Sequence, residues 1–283
     1  MPRRQQATAR QVRLGAELRK LREAAGLKGR EAAELLGTDS AQVSQLECGL
    51  AGVSEARVRR MAAHYDCTDH ELIDALAAMA SDRTRGWWEE YRGLLPSSFL
   101  DFAELEHHAT FLRVVEFMFV PGLLQTEDYA RAVFSSRIPE LPSEELELRV
   151  RHRMQRKVIL EGPAPTPYEA VVHEAAFRIR VSGRSTARAQ LARLMELAEA
   201  DHITVRVIPF DLDDFGGTWN AMMLAGGAVP KLDTATRDAP HGTGFVDSEA
   251  QLGVFRTLFR RVEAASLDPE RSRDFIHRLA KEM

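Results

Sequence analysis

The sequence predicts two folding units: a mainly α-helical N-terminal domain of five helices that contains a helix-turn-helix, and an α+β C-terminal domain with a four- to five-stranded sheet. Three observations support this prediction. Apolar residues recur at helical spacing through residues 12–80. Ile203, Val205 and Val207 alternate with polar residues, which is typical of a half-buried strand. At 283 residues, the chain is also long enough for about two domains.

The expected domain boundaries follow shifts in composition. Residues 1–80 hold the helical pattern. Residues 81–98 begin polar and continue into the aromatic segment GWWEEY, which we interpret as a linker that turns into a helix docked on one of the domains. Residues 99–283 would form the α+β domain, to which we assign regulation and dimerisation.

The stretch REAAELLGTDSAQVSQLECG, residues 30–49, has the pattern of two short helices joined by a tight turn. Ala33 is small enough to let the helices cross closely, and Gly37 can adopt the positive φ that the turn requires. Asp39 begins the second helix, and Gln42 completes an Asp-x-x-Gln variant of the capping box. The residues expected to hold this pair on a core are Leu36, Val43 and Leu46.

The second helix of the pair would present five small or polar side chains to solvent: Ser40, Ala41, Gln42, Ser44 and Gln45. A glutamine amide can bond N6 and N7 of adenine, a serine hydroxyl suits several base edges, and an alanine methyl can touch the methyl of thymine. Such a helix could read bases in a DNA major groove. Any amphipathic helical hairpin also exposes serine and glutamine, so the pattern alone leaves both interpretations open.

The remaining helices of the first domain have their own start and stop signals. A first helix is expected over residues 12–25 and ends at Gly26. Ser54 would cap the fourth helix, and a Thr68-x-x-Glu71 capping box would start the fifth.

Charge is distributed unevenly along the chain. The whole sequence has a net charge of −4, but residues 1–70 carry 12 basic and nine acidic side chains, so this part alone has a net charge of +3. Up to Arg30 there are nine basic residues and only two acidic ones, Glu17 and Glu23. This is expected of a surface that meets phosphates, although a solvated basic helix face would look the same.

The strands of the second domain are expected in the segments TFLRVVEFMFV, YEAVVH, ITVRVIPF, TWNAMMLA and PKLDTAT. A hairpin turn at Gly226-Gly227 would join the last two. Helices are expected between and after them, over residues 99–109, 126–136, 143–160, 187–200, 248–265 and 269–281.

Several classes of site are disfavoured by the residues present. Two cysteines, Cys48 and Cys67, cannot build a disulfide framework or a four-thiolate metal site. His173-Glu174 begins a zinc-like string, but Phe177 stands where the second histidine is needed. Phosphate-binding, nucleophile-elbow and dinucleotide motifs do not occur, so we expect no catalysis, cofactor or metal.

The composition also bears on where the protein acts. The N-terminal residues MPRRQQATARQVR form no apolar export signal, and no stretch of the sequence is long and apolar enough to span a membrane. We therefore expect a cytoplasmic protein.

Residues 12–80 resemble the phage-repressor-like (XRE-type, Cro/cI-type) DNA-binding domain. The segments LRKLREAAGL, AAELLG and VSQLECG carry this resemblance, together with the two helices that follow them. It implies an ion pair between Arg22 and Glu47. Where that family often has Thr-Gln at the start of the second helix, this chain has Lys28-Gly29, so Lys28, the Gly29 N–H or Arg30 would take over the phosphate contact.

The second domain resembles the C-terminal domain of actinobacterial antitoxin-like transcriptional regulators. This resemblance is carried by GWWEEYRGLLP, VPGLLQTEDYARA, VVHEAAFR, ITVRVIPF and FRTLF…AASLDPERSRDFI. It implies a DNA-bound regulator that a small partner protein holds or releases. The stretch LDTATRDAPHGTGFVDSE is longer and more distinctive than the corresponding loop of that group.

Together these features predict a sequence-specific transcriptional regulator that binds double-stranded DNA as a homodimer and receives a small partner protein on its C-terminal domain. Two-fold symmetry would place two recognition helices about one DNA turn apart. The alternative is a metabolite-sensing repressor with a pocket around Trp87, Phe215 and Trp219.

Overall fold

The computed structural model describes residues 7–82, 84–212, 220–239 and 242–283. The chain forms two compact units, Met1–Glu90 and Tyr91–Met283. The division falls within the segment 81–98, which contains a short 3-10 helix, Trp87–Tyr91, where the sequence suggested a docking helix. No helix among the described residues is long and apolar enough to cross a membrane.

The described residues of the first unit form five helices, as predicted: α1 (Ala9–Ala24), α2 (Gly29–Leu36), α3 (Ser40–Glu47), α4 (Glu55–His64) and α5 (His70–Ser81). Side chains at their N-termini accept bonds from free backbone N–H groups, as Thr8 does for α1 and Ser54 for α4. The cap of α5 is Asp69, whose carboxylate accepts from the Leu72 N–H at 3.0 Å. The prediction of Thr68 as this cap was therefore wrong by one residue.

The described residues of the second unit contain a mixed six-stranded sheet, and the predicted α+β class is confirmed. Its strands are β1 (Leu112–Glu116), β2 (Tyr168–His173), β3 (Ile203–Ile208), β4 (Met222–Ala225), β5 (Thr234–Ala239) and β6 (Gly242–Val246). Their order in the sheet is β3-β2-β1-β4-β5-β6. The pairs β1–β2 and β2–β3 are parallel, and the other neighbouring strands are antiparallel.

The sheet has one strand more than the upper number predicted. The additional strand is β6, which lies in the stretch that the sequence analysis treated as a distinctive loop. It begins with Gly-Thr-Gly, a composition with low strand propensity, so its pairing with β5 determines its structure.

The connection between β4 and β5 is longer than the two-glycine turn that we expected. Gly226 continues the ladder instead: its N–H donates to the Phe111 carbonyl at 2.9 Å, and its carbonyl accepts from the Thr110 N–H at 2.9 Å. A 3-10 helix, Pro230–Leu232, then leads into β5.

The helices of the second unit are α6 (Ser97–His107), α7 (Glu127–Ser135), α8 (Ser143–Gln155), α9 (Glu174–Arg178), α10 (Arg184–Leu197), α11 (Glu249–Ala265) and α12 (Pro269–Glu282). Side chains alternate along the strands and supply a separate core on each face of the sheet. Val114 and Val205 pack on the side of α10 and α12, whereas Val115 and Val171 pack on the side of α11. The sheet is thus covered by helices on both faces, which explains its continuous apolar strands.

The outer edge of β3 is bonded to the connection between α11 and α12 and to the first turn of α12. The Val207 N–H donates to Ser272 Oγ at 3.0 Å, and the Val207 carbonyl accepts from the Leu267 N–H at 2.8 Å. These bonds satisfy both backbone groups of a residue on an edge strand.

His152 on α8 is almost fully buried, with 1% of its surface exposed. Its ring meets the rings of Tyr91 and Phe99 edge to face, at centroid distances of 4.9 and 5.6 Å. Burial, followed by the charges of Arg156 and Arg153, lowers the pKa of His152 from 6.5 to about 3. The folded protein therefore keeps this imidazole neutral.

This pKa predicts a loss of stability in mild acid. The unfolded chain takes up a proton on His152 near pH 6.5, whereas the folded chain does so only near pH 3, so falling pH favours unfolding between these values. We expect His152 alone to remove about 2 kcal/mol of stability between pH 7 and pH 5. Denaturant unfolding of His152→Asn should show a shallower pH dependence than wild type over this range. Parallel pH profiles would contradict the assignment.

Candidate DNA-binding surface

The pair α2 and α3 is joined by the tight turn that the sequence predicted. Gly37 has φ +64°, in the left-handed region, and the bond from the Thr38 N–H to the Ala33 carbonyl at 2.9 Å closes the turn. The side chains that face the core from this pair are buried: Ala33, Leu36, Val43 and Leu46. The apolar pattern therefore fixes which side of α3 faces outward.

Two glycines that the sequence analysis did not single out fix the distance between α1 and α3. A Cβ on Gly15 of α1 would lie 2.6 Å from the carbonyl oxygens of Leu46 and Glu47. Gly49 follows α3 with φ +73°, and a Cβ there would lie 2.7 Å from the Gln11 backbone. Glycine within the periodic pattern of α1 was the available signal for Gly15, because such a residue usually has a packing reason.

Arg22 of α1 and Glu47 of α3 form a bidentate ion pair. Arg22 Nε donates to Glu47 Oε1 at 2.7 Å, and Arg22 Nη2 donates to Glu47 Oε2 at 2.9 Å. Both side chains are about nine-tenths buried. Arg22 Nη1 also donates to the Leu27 carbonyl at 2.7 Å, just before α2. The hydrogen bond with Glu47 is the main reason that the pKa of Arg22 is raised, so this guanidinium links all three helices as a permanent cation.

The outward face of α3 consists of the five side chains proposed as base-reading: Ser40, Ala41, Gln42, Ser44 and Gln45. All five are exposed. Their backbone is held by the buried residues of the same helix, so the face is presented on a fixed support. Within the first unit this surface is open.

Only one of the two hydrogen bonds predicted for the capping box at the start of α3 is present. Asp39 Oδ1 accepts from the Gln42 N–H at 2.7 Å, as expected. The Gln42 side chain does not return the bond to Asp39. Its Oε1 accepts from the Thr38 hydroxyl instead, which places the amide beside the turn. Among the described residues, this hydrogen bond engages the side-chain oxygen of Gln42 and not its amide nitrogen.

The residues proposed for phosphate contact surround the N-terminus of α2. Lys28 precedes the helix, Gly29 is its first residue, and the side chains of Lys28 and Arg30 are exposed. Within the described ranges neither side chain forms an ion pair. By contrast, Arg19 is bonded to Glu23 and Lys20 to Glu17, both at 2.7 Å. Two cations beside the positive end of a helix form a favourable place for a phosphate.

The other candidate site residues either hydrogen-bond to nearby backbone groups or lie outside the described residues. His173 Nδ1 accepts from the Ala175 N–H at 3.2 Å at the start of α9, and Glu174 Oε2 accepts from the Phe210 N–H at 2.8 Å. In the part of the chain that the structure describes, no three His, Cys, Asp or Glu side chains are grouped to hold a metal ion. Of the predicted pocket, Phe215 and Trp219 lie outside the described residues, and Trp87 belongs to the first unit.

The fold and this surface define a helix-turn-helix protein. A family model for the helix-turn-helix domain matches residues 13–76, which supports a DNA-binding transcription regulator. A second family model, described as a domain of unknown function (DUF5753), matches residues 99–278, and the chain belongs to this family. No curated protein and no solved structure matches the chain.

The close contact at Gly15 predicts that a single added methyl group would strongly lower the stability of the protein. Gly15→Ala should destabilise the first unit by about 2–3 kcal/mol, because the new Cβ meets backbone atoms that can move only if the helices separate. The measurement is thermal or denaturant unfolding of the full chain.

Gly253→Ala is the matched control for Gly15→Ala. Gly253 also lies inside a helix, α11, but a Cβ there meets nothing within 4 Å. This change should therefore stabilise the protein by up to about 1 kcal/mol through helix propensity. Equal effects of the two substitutions would show that the approach of α1 to α3 is not tight.

Proposed function

We propose that this protein is a sequence-specific DNA-binding transcriptional regulator whose α3 enters the major groove. The observation that carries the proposal is the exposure of all five polar or small residues of α3 on a helix locked by a buried ion pair. Ser40, Ala41, Gln42, Ser44 and Gln45 read base edges, while Lys28, the Gly29 N–H and Arg30 contact phosphates. A gel shift of the purified chain on the DNA upstream of its own gene tests this function directly.

Base reading and phosphate contact have different signatures in binding measurements. Gln42→Ala should cost about 1–3 kcal/mol at one base position and relax the preference there. Arg30→Ala should weaken binding to every sequence and reduce the salt slope by about one unit. Titrations on the specific site, on single-base variants and on unrelated DNA at several salt concentrations separate the two effects.

Arg180→Ala is the control for these measurements, since Arg180 is also an exposed arginine but lies in the second unit. It should leave both the affinity and the salt slope close to wild type. If Gln42→Ala weakened binding to all DNA sequences equally, Gln42 would not be reading a base.

The regulator is proposed to act as a homodimer. Most helix-turn-helix dimers bind two half-sites about 34–36 Å apart, so the operator should be a palindrome with that spacing. A footprint that covers a single half-site would count against the dimer.

For the second unit we propose an antitoxin-like role, in which a small partner protein binds it and changes the occupancy of DNA. The sequence resemblance of residues 86–276 supports this role. Co-expression with small proteins encoded beside the gene should yield a stable complex that alters the gel shift. Purification of the regulator alone in every such trial would argue against this partner.

The second candidate is a metabolite sensor, and it is favoured by a cleft on the sheet of the second unit. A fold of this kind does not by itself choose between a protein and a small molecule as signal. A true small-molecule effector should raise the thermal stability by an amount that grows with the logarithm of its concentration above its dissociation constant, which a partner-only regulator would not show.

A further inference from the structure

The outward face of α3 carries two glutamine side chains whose amides have different surroundings. Both Gln42 and Gln45 are exposed. Gln42 Oε1 accepts a hydrogen bond from the hydroxyl of Thr38, which lies four residues earlier, in the turn before α3. Among the described residues, the side-chain oxygen of Gln45 has no such partner, and neither amide nitrogen donates to a protein group. The protein therefore engages the oxygen of one glutamine and leaves that of the other free.

Thr38 is itself held in place by the turn between α2 and α3. Its N–H donates to the Ala33 carbonyl at 2.9 Å, and the residue is half-buried. A threonine side chain has few rotamers because it is β-branched. At the same time, Asp39 Oδ1 accepts from the Gln42 N–H at 2.7 Å. The backbone and the side-chain oxygen of Gln42 are thus both attached to residues of the turn.

A glutamine that reads adenine uses both ends of its amide. The nitrogen donates to N7 of the base, and the oxygen accepts from the amino group at N6. The oxygen and the nitrogen point in different directions from the same amide carbon, so an oxygen directed at the Thr38 hydroxyl does not lie beside the nitrogen against one base edge. The nitrogen still carries two N–H donors. Gln42 therefore meets a base as a hydrogen-bond donor.

Guanine has the major-groove edge that suits such a donor. It presents two acceptors, N7 and O6, whereas adenine presents one acceptor and an amino group that also donates. A donor placed against that amino group would leave both groups without partners, and an unpaired donor in an interface is costly. Gln45 keeps both ends of its amide free, so this restriction applies to Gln42 alone.

We propose that Thr38 is a positioning residue for base recognition: by holding the side-chain oxygen of Gln42, it makes Gln42 select guanine over adenine. This inference rests on the proposed entry of α3 into the major groove, and it deepens that function by naming the base and the residue that determines the choice. Removal of the Thr38 hydroxyl releases the oxygen, so Gln42 gains the ability to pair with adenine.

The first test uses the full chain without DNA. Nuclear magnetic relaxation of the side-chain amides measures how strongly the Gln42 and Gln45 amides are ordered on the ps–ns timescale. In the wild type, the Gln42 amide should be the more ordered of the two. Thr38→Val keeps the β-branched shape without the hydroxyl and should lower the order of Gln42 to that of Gln45, whereas Thr38→Ser should preserve it. Equal order of the two amides in the wild type would overturn the inference.

The second test measures base preference by selection from a randomised DNA pool, followed by titrations on single-base variants of the selected site. The position read by Gln42 is the one whose preference is lost in Gln42→Ala. There the wild type should prefer guanine to adenine by at least about 10-fold, which corresponds to about 1.4 kcal/mol. Thr38→Val should reduce this ratio about 10-fold without changing the preference at the position read by Gln45. Thr38→Ser should retain the wild-type ratio.

Thr68→Val is the matched control for Thr38→Val. Thr68 precedes Asp69, the N-cap of α5, just as Thr38 precedes Asp39, the N-cap of α3. Each aspartate accepts from the N–H three residues later, but in α5 that residue is Leu72 and not a glutamine. Thr68→Val should therefore leave the base preference unchanged.

The outcomes separate failure of this inference from failure of the proposed function. A wild type that prefers adenine at the position read by Gln42, or a ratio that Thr38→Val does not change, would overturn the inference while selective DNA binding remains. A wild type that binds no DNA sequence selectively would overturn both proposals.

Discussion

The N-terminal unit depends on the ion pair between Arg22 and Glu47. It is bidentate and largely buried, and it fixes the C-terminal end of α3 against α1, which approaches closely because residue 15 has no side chain. Removal of one charge from such a pair leaves the other buried and uncompensated, so the two residues maintain the helix position together. The turn at Gly37 then sets the angle of α2, and the exposed face of α3 follows from these three constraints.

In the mode of DNA binding that we propose, this arrangement separates affinity from selectivity. The helix α3, SAQVSQLE, contains no lysine or arginine, and its one carboxylate is engaged by Arg22. Attraction to phosphates must therefore come from elsewhere in the unit, and the exposed cations beside α2 are the residues in position to supply it. A neutral reading helix contributes hydrogen bonds whose value depends on which base they meet.

Much of the fold could be predicted from the sequence because its signals are local. Helical spacing, N-terminal caps and the alternation around Val205 each depend on neighbours in the chain, and the five helices and the α+β class followed from them. Gly15 was missed because a glycine inside a helical pattern indicates a packing constraint without showing which helix it meets or at what distance. The strand β6 was missed because its glycines have weak intrinsic preference and its structure comes from β5.

The candidate sites also differ in whether their residues come from one segment of the chain or from several. The exposed face of α3 could be predicted because one helix presents all of it, whereas the cleft gathers Tyr168 and Thr236 from strands separated by β1 and β4.

The bonds that Ser272 and Leu267 make to Val207 bear on how the protein behaves at high concentration. An uncovered border of a sheet invites foreign segments to add to it, which is a common route to fibrils and to exchange of segments between molecules. Here an intruding segment would first have to displace Leu267 and the first turn of α12 from the backbone of Val207. Resistance to such misassembly is thus built into the route by which the chain enters its last helix.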